Sequence, residues 1–166
     1  MNTLLIGNAV SMIGCLIMVL IGFLKRNNHI LMAQCAQCLF MGAGNLILGG
    51  VSGFISNVVT IFRNLVFLKL KNTVFLKVFF ILLQLVLSWS SLTAGFISWL
   101  PLIAAALFTW CMDTKSAAKL KIVILCTQVM WLTYDLYFRN YVASAFDVMT
   151  MVSNLIGLYL VCRKKA

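Results

Sequence analysis

Seven apolar runs, each close to the length that crosses a bilayer, take up almost all of this 166-residue chain. They fall at 4–24, 30–48, 53–70, 74–91, 98–112, 120–138 and 144–162, separated by charges or by clusters of Gly and Ser. A helix of about 20 apolar residues spans the roughly 30 Å hydrocarbon core. Inside lipid every backbone N–H and C=O must find a partner within the chain, which leaves helices or a closed barrel. No stretch alternates apolar and polar residues for long enough to build a barrel. The expected fold is all-α and integral to the membrane, with seven transmembrane helices and no soluble domain. With 63% apolar and 10% charged residues, the composition lies far from the roughly one-quarter charged residues of soluble domains.

Net charge is +10. The basic residues sit in small groups between apolar runs rather than on a folded basic face interleaved with aromatics, so a nucleic-acid partner is excluded. Their distribution reports topology. Lys25 and Arg26 follow span 1, Lys69, Lys71 and Lys77 flank the next connection but one, and Lys115, Lys119 and Lys121 precede span 6. Arg163, Lys164 and Lys165 end the chain, whereas the other connections carry only Arg139. Cytoplasmic loops collect Lys and Arg, so the N-terminus is expected outside and the C-terminus in the cytoplasm. The first run is too long for a signal-peptide core and lacks a basic leader, so it is expected to remain as span 1. The six cysteines all lie in or beside apolar runs, which implies no extracellular disulfide framework.

Two of the spans carry polar side chains in one repeated spacing. Asn57, Thr60 and Asn64 in span 3 match Asp147, Thr150 and Asn154 in span 7, each trio at i, i+3 and i+7 and therefore on one helical stripe. Sliding the chain along itself by 90 residues, without a gap, also sets Lys25 over Lys115, Asn45 over Asp135 and Leu65 over Leu155. Apolar matches are cheap in such a sequence, so the weight rests on the polar ones. The expected organisation is one membrane domain, 1–166, made of a three-helix bundle at 4–70, a linker helix at 74–91 and a second bundle at 98–162. This is a 3+1+3 chain of two parallel repeats. Polar groups in a bilayer core are costly unless they meet one another, water or a ligand. Two matched stripes therefore point to a shared polar cavity.

Arg63 is the one basic residue well inside a span, while Asp135 and Asp147 sit toward the other ends of theirs. The economical arrangement is an Arg63–carboxylate contact, with anchoring of an anionic ligand or snorkelling as the alternatives. Asp147 in the cavity has two readings, structural hydrogen bonding or coupling of solute movement to protons. Asn64 and Asn154 either join helices or line the site. Trp131, two turns inside span 6, suits a pocket wall, whereas Trp89, Trp99, Tyr137 and Tyr141 suit an interfacial belt. Gln34, Gln37 and Gln128 fit helix linkage better than the cavity. Cys35-Ala-Gln-Cys38 has the spacing of a thiol oxidoreductase, but both cysteines fall inside span 2 with no second pair to relay electrons. No metal-ligand set or cofactor motif is present, and His29 stands alone.

The run Ser56-Asn57-Val58-Val59-Thr60-Ile61-Phe62-Arg63-Asn64-Leu65 resembles the third helix of the SWEET, SemiSWEET and PQ-loop transporter superfamily. The second copy in this chain, Trp131-Leu132-Thr133-Tyr134-Asp135 continuing through Asp147 to Asn154, resembles it more closely. Gly-Asn-Leu at 44–46 and Phe-Arg-Asn-Leu-Val-Phe at 62–67 look most like the YgjV-type bacterial inner membrane family. The resemblance implies a sugar-sized solute site between two bundles, with Asn57 as one member of a facing Asn pair and Trp131 as an aromatic wall. Asp147 stands where the second Asn belongs. The Pro-Gln hinge motif is missing: Pro101, the only proline, opens span 5 opposite Ser11. The expected function is therefore transport of a small polar solute across the inner membrane by alternating access, not enzymatic catalysis. Asn57, Asp147, Asn64, Asn154, Thr60, Thr150, Arg63 and Trp131 are the expected substrate-binding residues. A non-transporting accessory protein and, less favoured, a membrane thiol enzyme are the competitors. Beyond solute and lipid, association into a homo-oligomer is left open.

Overall fold

The structure, a computed structural model, describes residues 2–21, 27–70, 73–112 and 116–163. Lys25, Arg26, Lys71, Lys115, Lys164 and Lys165, which helped set the expected orientation, lie outside the described residues. The described chain contains no strand and forms seven α-helices: α1 (Thr3–Ile21), α2 (Asn27–Ile47), α3 (Val51–Lys69), α4 (Val74–Ser88), α5 (Leu100–Cys111), α6 (Ala117–Tyr137) and α7 (Tyr141–Arg163). Each expected span is thus a helix, with its ends moved by a few residues. The largest difference is at span 5. A 3₁₀ segment, Trp89–Trp99, occupies the expected connection, and Gly95 at φ +63° helps reverse the chain before α5 begins with Pro101 in its first turn.

Helix ends follow local chemistry. The hydroxyls of Thr73 and Ser116 accept from the amides of Leu76 and Lys119, capping α4 and α6 at the points where the apolar runs begin. Four helices, α1, α3, α4 and α7, supply stretches long and apolar enough to cross a membrane. Shorter apolar stretches lie at 31–47 and 95–111. α6 carries Lys121, Gln128 and Asp135 along its length and is less apolar.

The distribution of side chains is inverted relative to a water-soluble protein. Leu, Val and Phe side chains such as Leu5, Phe75, Phe79 and Val86 are exposed, while Ser56, Asn64, Gln84, Asp135 and Asn140 are buried. Helices whose outer surfaces are apolar and whose contacts are polar have lipid as their solvent. Polar groups then do the joining: Gln84 of α4 donates to Ser56 of α3, and the Lys77 ammonium donates to the Trp110 carbonyl of α5 at 3.0 Å.

Helix neighbours run in a ring. α1 packs on α2, α2 on α3, α3 on α5, α5 on α6, α6 on α7 and α7 back on α1, while α4 lies against α3 and α5. The α2–α3 and α6–α7 turns have one backbone design. Gly50 N–H donates to the Asn45 carbonyl at 2.7 Å and, 90 residues on, Asn140 N–H donates to the Asp135 carbonyl at 2.8 Å. Gly49 to Leu46 and Arg139 to Leu136 pair in the same way, at 3.1 and 3.2 Å. Both turns need a left-handed residue: Gly49 has φ +87° and Arg139 φ +59°. Glycine adopts that conformation freely and arginine does not, at a cost of about 1–2 kcal/mol. Arg139→Gly should therefore raise the unfolding free energy by about 0.5–1 kcal/mol once the greater freedom of an unfolded glycine is subtracted. Thermal unfolding in detergent checks this, and a lower midpoint would mean that the arginine side chain itself holds the turn.

Candidate functional site

A cavity of about 300 Å³ lies inside the ring, lined from α1, α2, α3, α5, α6 and α7. This is within the size range of small-molecule sites. Six of the eight expected residues line it: Asn57, Thr60 and Arg63 from α3, Trp131 from α6, and Asp147 and Thr150 from α7. Asn57 and Asp147 are each the seventh residue of a helix, counted from Val51 and Tyr141. With a rise of about 1.5 Å per residue they lie at matching depths in the two helices.

The other two expected residues act from behind. Asn64 is fully buried beside the cavity, where its carbonyl oxygen accepts from Arg63 Nε and Nη2 at 3.3 and 3.2 Å and its amide donates to Gln34 at 3.2 Å. It positions the guanidinium. Asn154 turns back to donate to the Thr150 carbonyl at 2.9 Å and is not part of the lining. The match between the two stripes thus fades one turn beyond the threonines.

The expected Arg63–carboxylate pair does not form. Arg63, 4% exposed, reaches Asn64 and donates from Nη1 to the Thr109 hydroxyl at 2.7 Å, with its Cζ 5.7 Å from the Phe108 ring centroid. The reason is position along α3: Arg63 is six residues, about 9 Å, past Asn57, while Asp147 is at the level of Asn57. Neutral acceptors on α3 and α5 are nearer.

Asp135 is not among the expected substrate-binding residues, yet it lines the cavity. It is 1% exposed and Asp147 is 6% exposed, and their carboxyl groups lie within hydrogen-bonding range of each other. Asn140 donates to Oδ1 of Asp135 at 3.5 Å, and Gln128 donates to Oδ1 of Asp147 at 3.3 Å. Oδ2 of each acid has no donor in the protein. Two touching carboxyls need a hydrogen between them, carried by a proton or by a cationic donor. The available sequence signal was the 90-residue shift, which sets Asp135 over Asn45 just as it sets Asp147 over Asn57. Gln34, Gln37 and Gln128, which the sequence suits to helix linkage, all reach the cavity wall.

One end of the cavity is closed by contacts between the 4–70 and 98–162 segments. The Tyr134 hydroxyl accepts from the Gly53 amide at 2.8 Å and from Ser52 at 3.2 Å, and Asn140 donates to Asn45 Oδ1 at 3.0 Å. Asn8 of α1 clasps the α6–α7 turn, donating to the Arg139 carbonyl and accepting from the Val142 amide, both at 3.0 Å. Tyr134 also stacks edge-on against Trp131, ring centroids 5.9 Å apart, which ties the closure to the cavity wall. The sequence placed Tyr134 only as part of a resemblance and gave no hint that Gly50 and Gly53 leave room for its ring.

Cys15, Cys35, Cys38, Cys111 and Cys126 are free thiols, and no group of three or more potential metal-ligating side chains occurs among the described residues. Cys38 lines the cavity and Cys35 donates weakly to the Ile61 carbonyl at 3.8 Å. The family described as Imp-YgjV, bacterial inner membrane protein, matches residues 5–165. No curated protein and no solved structure matches the chain.

Proposed function

The chain belongs to the Imp-YgjV family of bacterial inner membrane proteins, and from that premise we propose that it carries a small polar solute across the membrane. The carrying observation is a cavity with charged and amide groups set in a largely apolar wall, lined by both halves of the chain and shut at one end by hydrogen bonds that run between those halves. In this reading the helices are seven spans, arranged as two parallel three-helix repeats, α1–α3 and α5–α7, with α4 as the linker. Two observations support it: the turn hydrogen bonds repeat at a 90-residue offset, and a two-fold relation exchanges the α3–α5 and α7–α1 seams. Sites of parallel-repeat transporters lie near the midplane where the repeats meet.

With the charge rule setting the C-terminus in the cytoplasm, the closed end faces outward. Exposed Trp89, Tyr137 and Tyr141 then form the outer aromatic belt. Breaking the Tyr134–Gly53 and Asn45–Asn140 contacts would open the outer end, and closing the opposite end would complete the exchange. Asn57, Asp147 and Thr150 hold the solute, Trp131 covers one face, and Arg63 supplies a fixed positive charge.

Uptake into liposomes tests the reading. With the native cysteines replaced, Asn45→Cys combined with Asn140→Cys and bridged by a short cleavable bis-thiol reagent should stop uptake, and cleavage should restore it. Indifference to the bridge would mean that the outer end never opens. If no sugar, vitamin, nucleoside or amino acid moves at all, an accessory role for the same fold prevails.

A further inference from the structure

We infer that the cavity binds a small zwitterion, with its carboxylate toward Arg63 and its ammonium toward Asp135 and Asp147. This rests on the proposed solute site and names the class of its occupant.

Two opposite poles line one cavity without touching. At one, the Arg63 guanidinium has five N–H groups, of which three are taken by Asn64 and Thr109. One N–H on each terminal nitrogen remains, so the guanidinium keeps donors as well as charge for a carboxylate. At the other pole, two buried carboxyl oxygens, Oδ2 of Asp135 and of Asp147, have no protein donor. An ammonium carries three N–H donors and full positive charge, and so replaces a lone proton between them. The poles are separated along the helices by about the 9 Å from Asn57 to Arg63, less the reach of the arginine side chain. That gap fits a molecule whose charges stand several ångströms apart, and Trp131 and Phe108 offer apolar surface to its body.

The competing classes each leave a charge stranded. A neutral sugar satisfies neither pole, an anion leaves the carboxyls unpaired, and a simple amine leaves Arg63 without a counter-charge. Buried charges lacking partners are strongly unfavourable, so discrimination is built into the cavity. The acids reinforce this: where the chain has Asp135 and Asp147, the equivalent positions 90 residues earlier are the neutral Asn45 and Asn57. Negative charge is confined to one side of the site.

Calorimetric titration of the detergent-purified protein tests the inference. The probes are the linear series from glycine through β-alanine and 4-aminobutyrate to 6-aminohexanoate, common α-amino acids, and the amines, carboxylic acids and amides of the same lengths, with glucose as the neutral control. At least one zwitterion should bind about tenfold or more tightly than its singly charged analogues. Arg63→Gln should erase the preference over the matched amine, and Asp147→Asn the preference over the matched acid. Arg63→Lys, which keeps the charge, should retain a preference and shows that the site survives substitution. Binding of glucose or a single-charge analogue as tight as any zwitterion, or no binding by any zwitterion, overturns the inference. Liposome uptake separates the two readings: a zwitterion that binds but does not move retires transport and keeps the site, whereas a neutral sugar that moves keeps transport and removes the zwitterion.

Discussion

Gly53→Ala is expected to lower the unfolding free energy by about 3 kcal/mol, the upper end for overpacking combined with a broken buried hydrogen bond. A β-carbon there would stand 2.6 Å from Cε1 of Tyr134 and 2.9 Å from Nδ2 of Asn45, so something must shift. The Tyr134 ring must swing away, and its hydroxyl then loses the Gly53 amide. The effect should depend on the ring. In a Tyr134→Ala background the same substitution should cost at least about 1 kcal/mol less, a coupling measurable by a double-mutant cycle in detergent unfolding. Additive costs would show that the Tyr134 ring is not what Gly53 makes space for, and the closure at that end of the cavity would need another explanation. Tyr134→Phe keeps the ring and removes only the hydroxyl, so its loss should be about 1 kcal/mol.

Asp135→Asn should change activity and stability in opposite directions. The amide is nearly isosteric with the acid and gives the Asp147 carboxylate a permanent N–H donor in place of a shared proton. It also suits the backbone, because the Asn45 carbonyl accepts the equivalent bond in the α2–α3 turn. Removing one of two touching buried acids should raise stability by about 1–2 kcal/mol, which for a chain of this size shifts the midpoint by several degrees. Solute uptake should fall below detection, since the site keeps one carboxylate but loses Oδ2 of Asp135, the second acceptor for the ammonium of the solute. Polar groups retained at the expense of stability mark functional positions. A falling midpoint with uptake intact would instead make the carboxyl pair a structural joint.

Most of the architecture could be read from the chain because lipid imposes long apolar runs on it. α1 was expected at 4–24 and found at Thr3–Ile21, and α7 was expected at 144–162 and found at Tyr141–Arg163. The facing positions Asn57 and Asp147 were legible for a different reason. A buried polar residue in a span is conspicuous, and one that recurs at a fixed offset is more so. What hydropathy does not carry is which helices are neighbours. Arg63 was assigned a carboxylate because acids are scarce, but Thr109 and Asn64 were closer, and nothing in their local sequence announces that α5 packs on α3. Tyr134 was unreadable as a closure for the same reason, since its partner amide at Gly53 lies on another helix 81 residues earlier in the chain. The 3₁₀ segment at Trp89–Trp99 was missed because its Gly and Ser content reads as a loop.

The placement of α4 has a mechanical result. It lies against α3 and α5, while α1 and α7 have the least buried of the four long apolar stretches, 22% and 17% against 39% for α3. The two joins between the 4–70 and 98–162 segments are therefore unequal. One has a spine, stitched by Gln84 to Ser56. The other is a free edge held near the Arg139 turn by the Asn8 clasp. Any parting of the halves would follow the motion of a bound book, widest along α1 and α7, and lipid tails rather than protein would be the first to meet the gap.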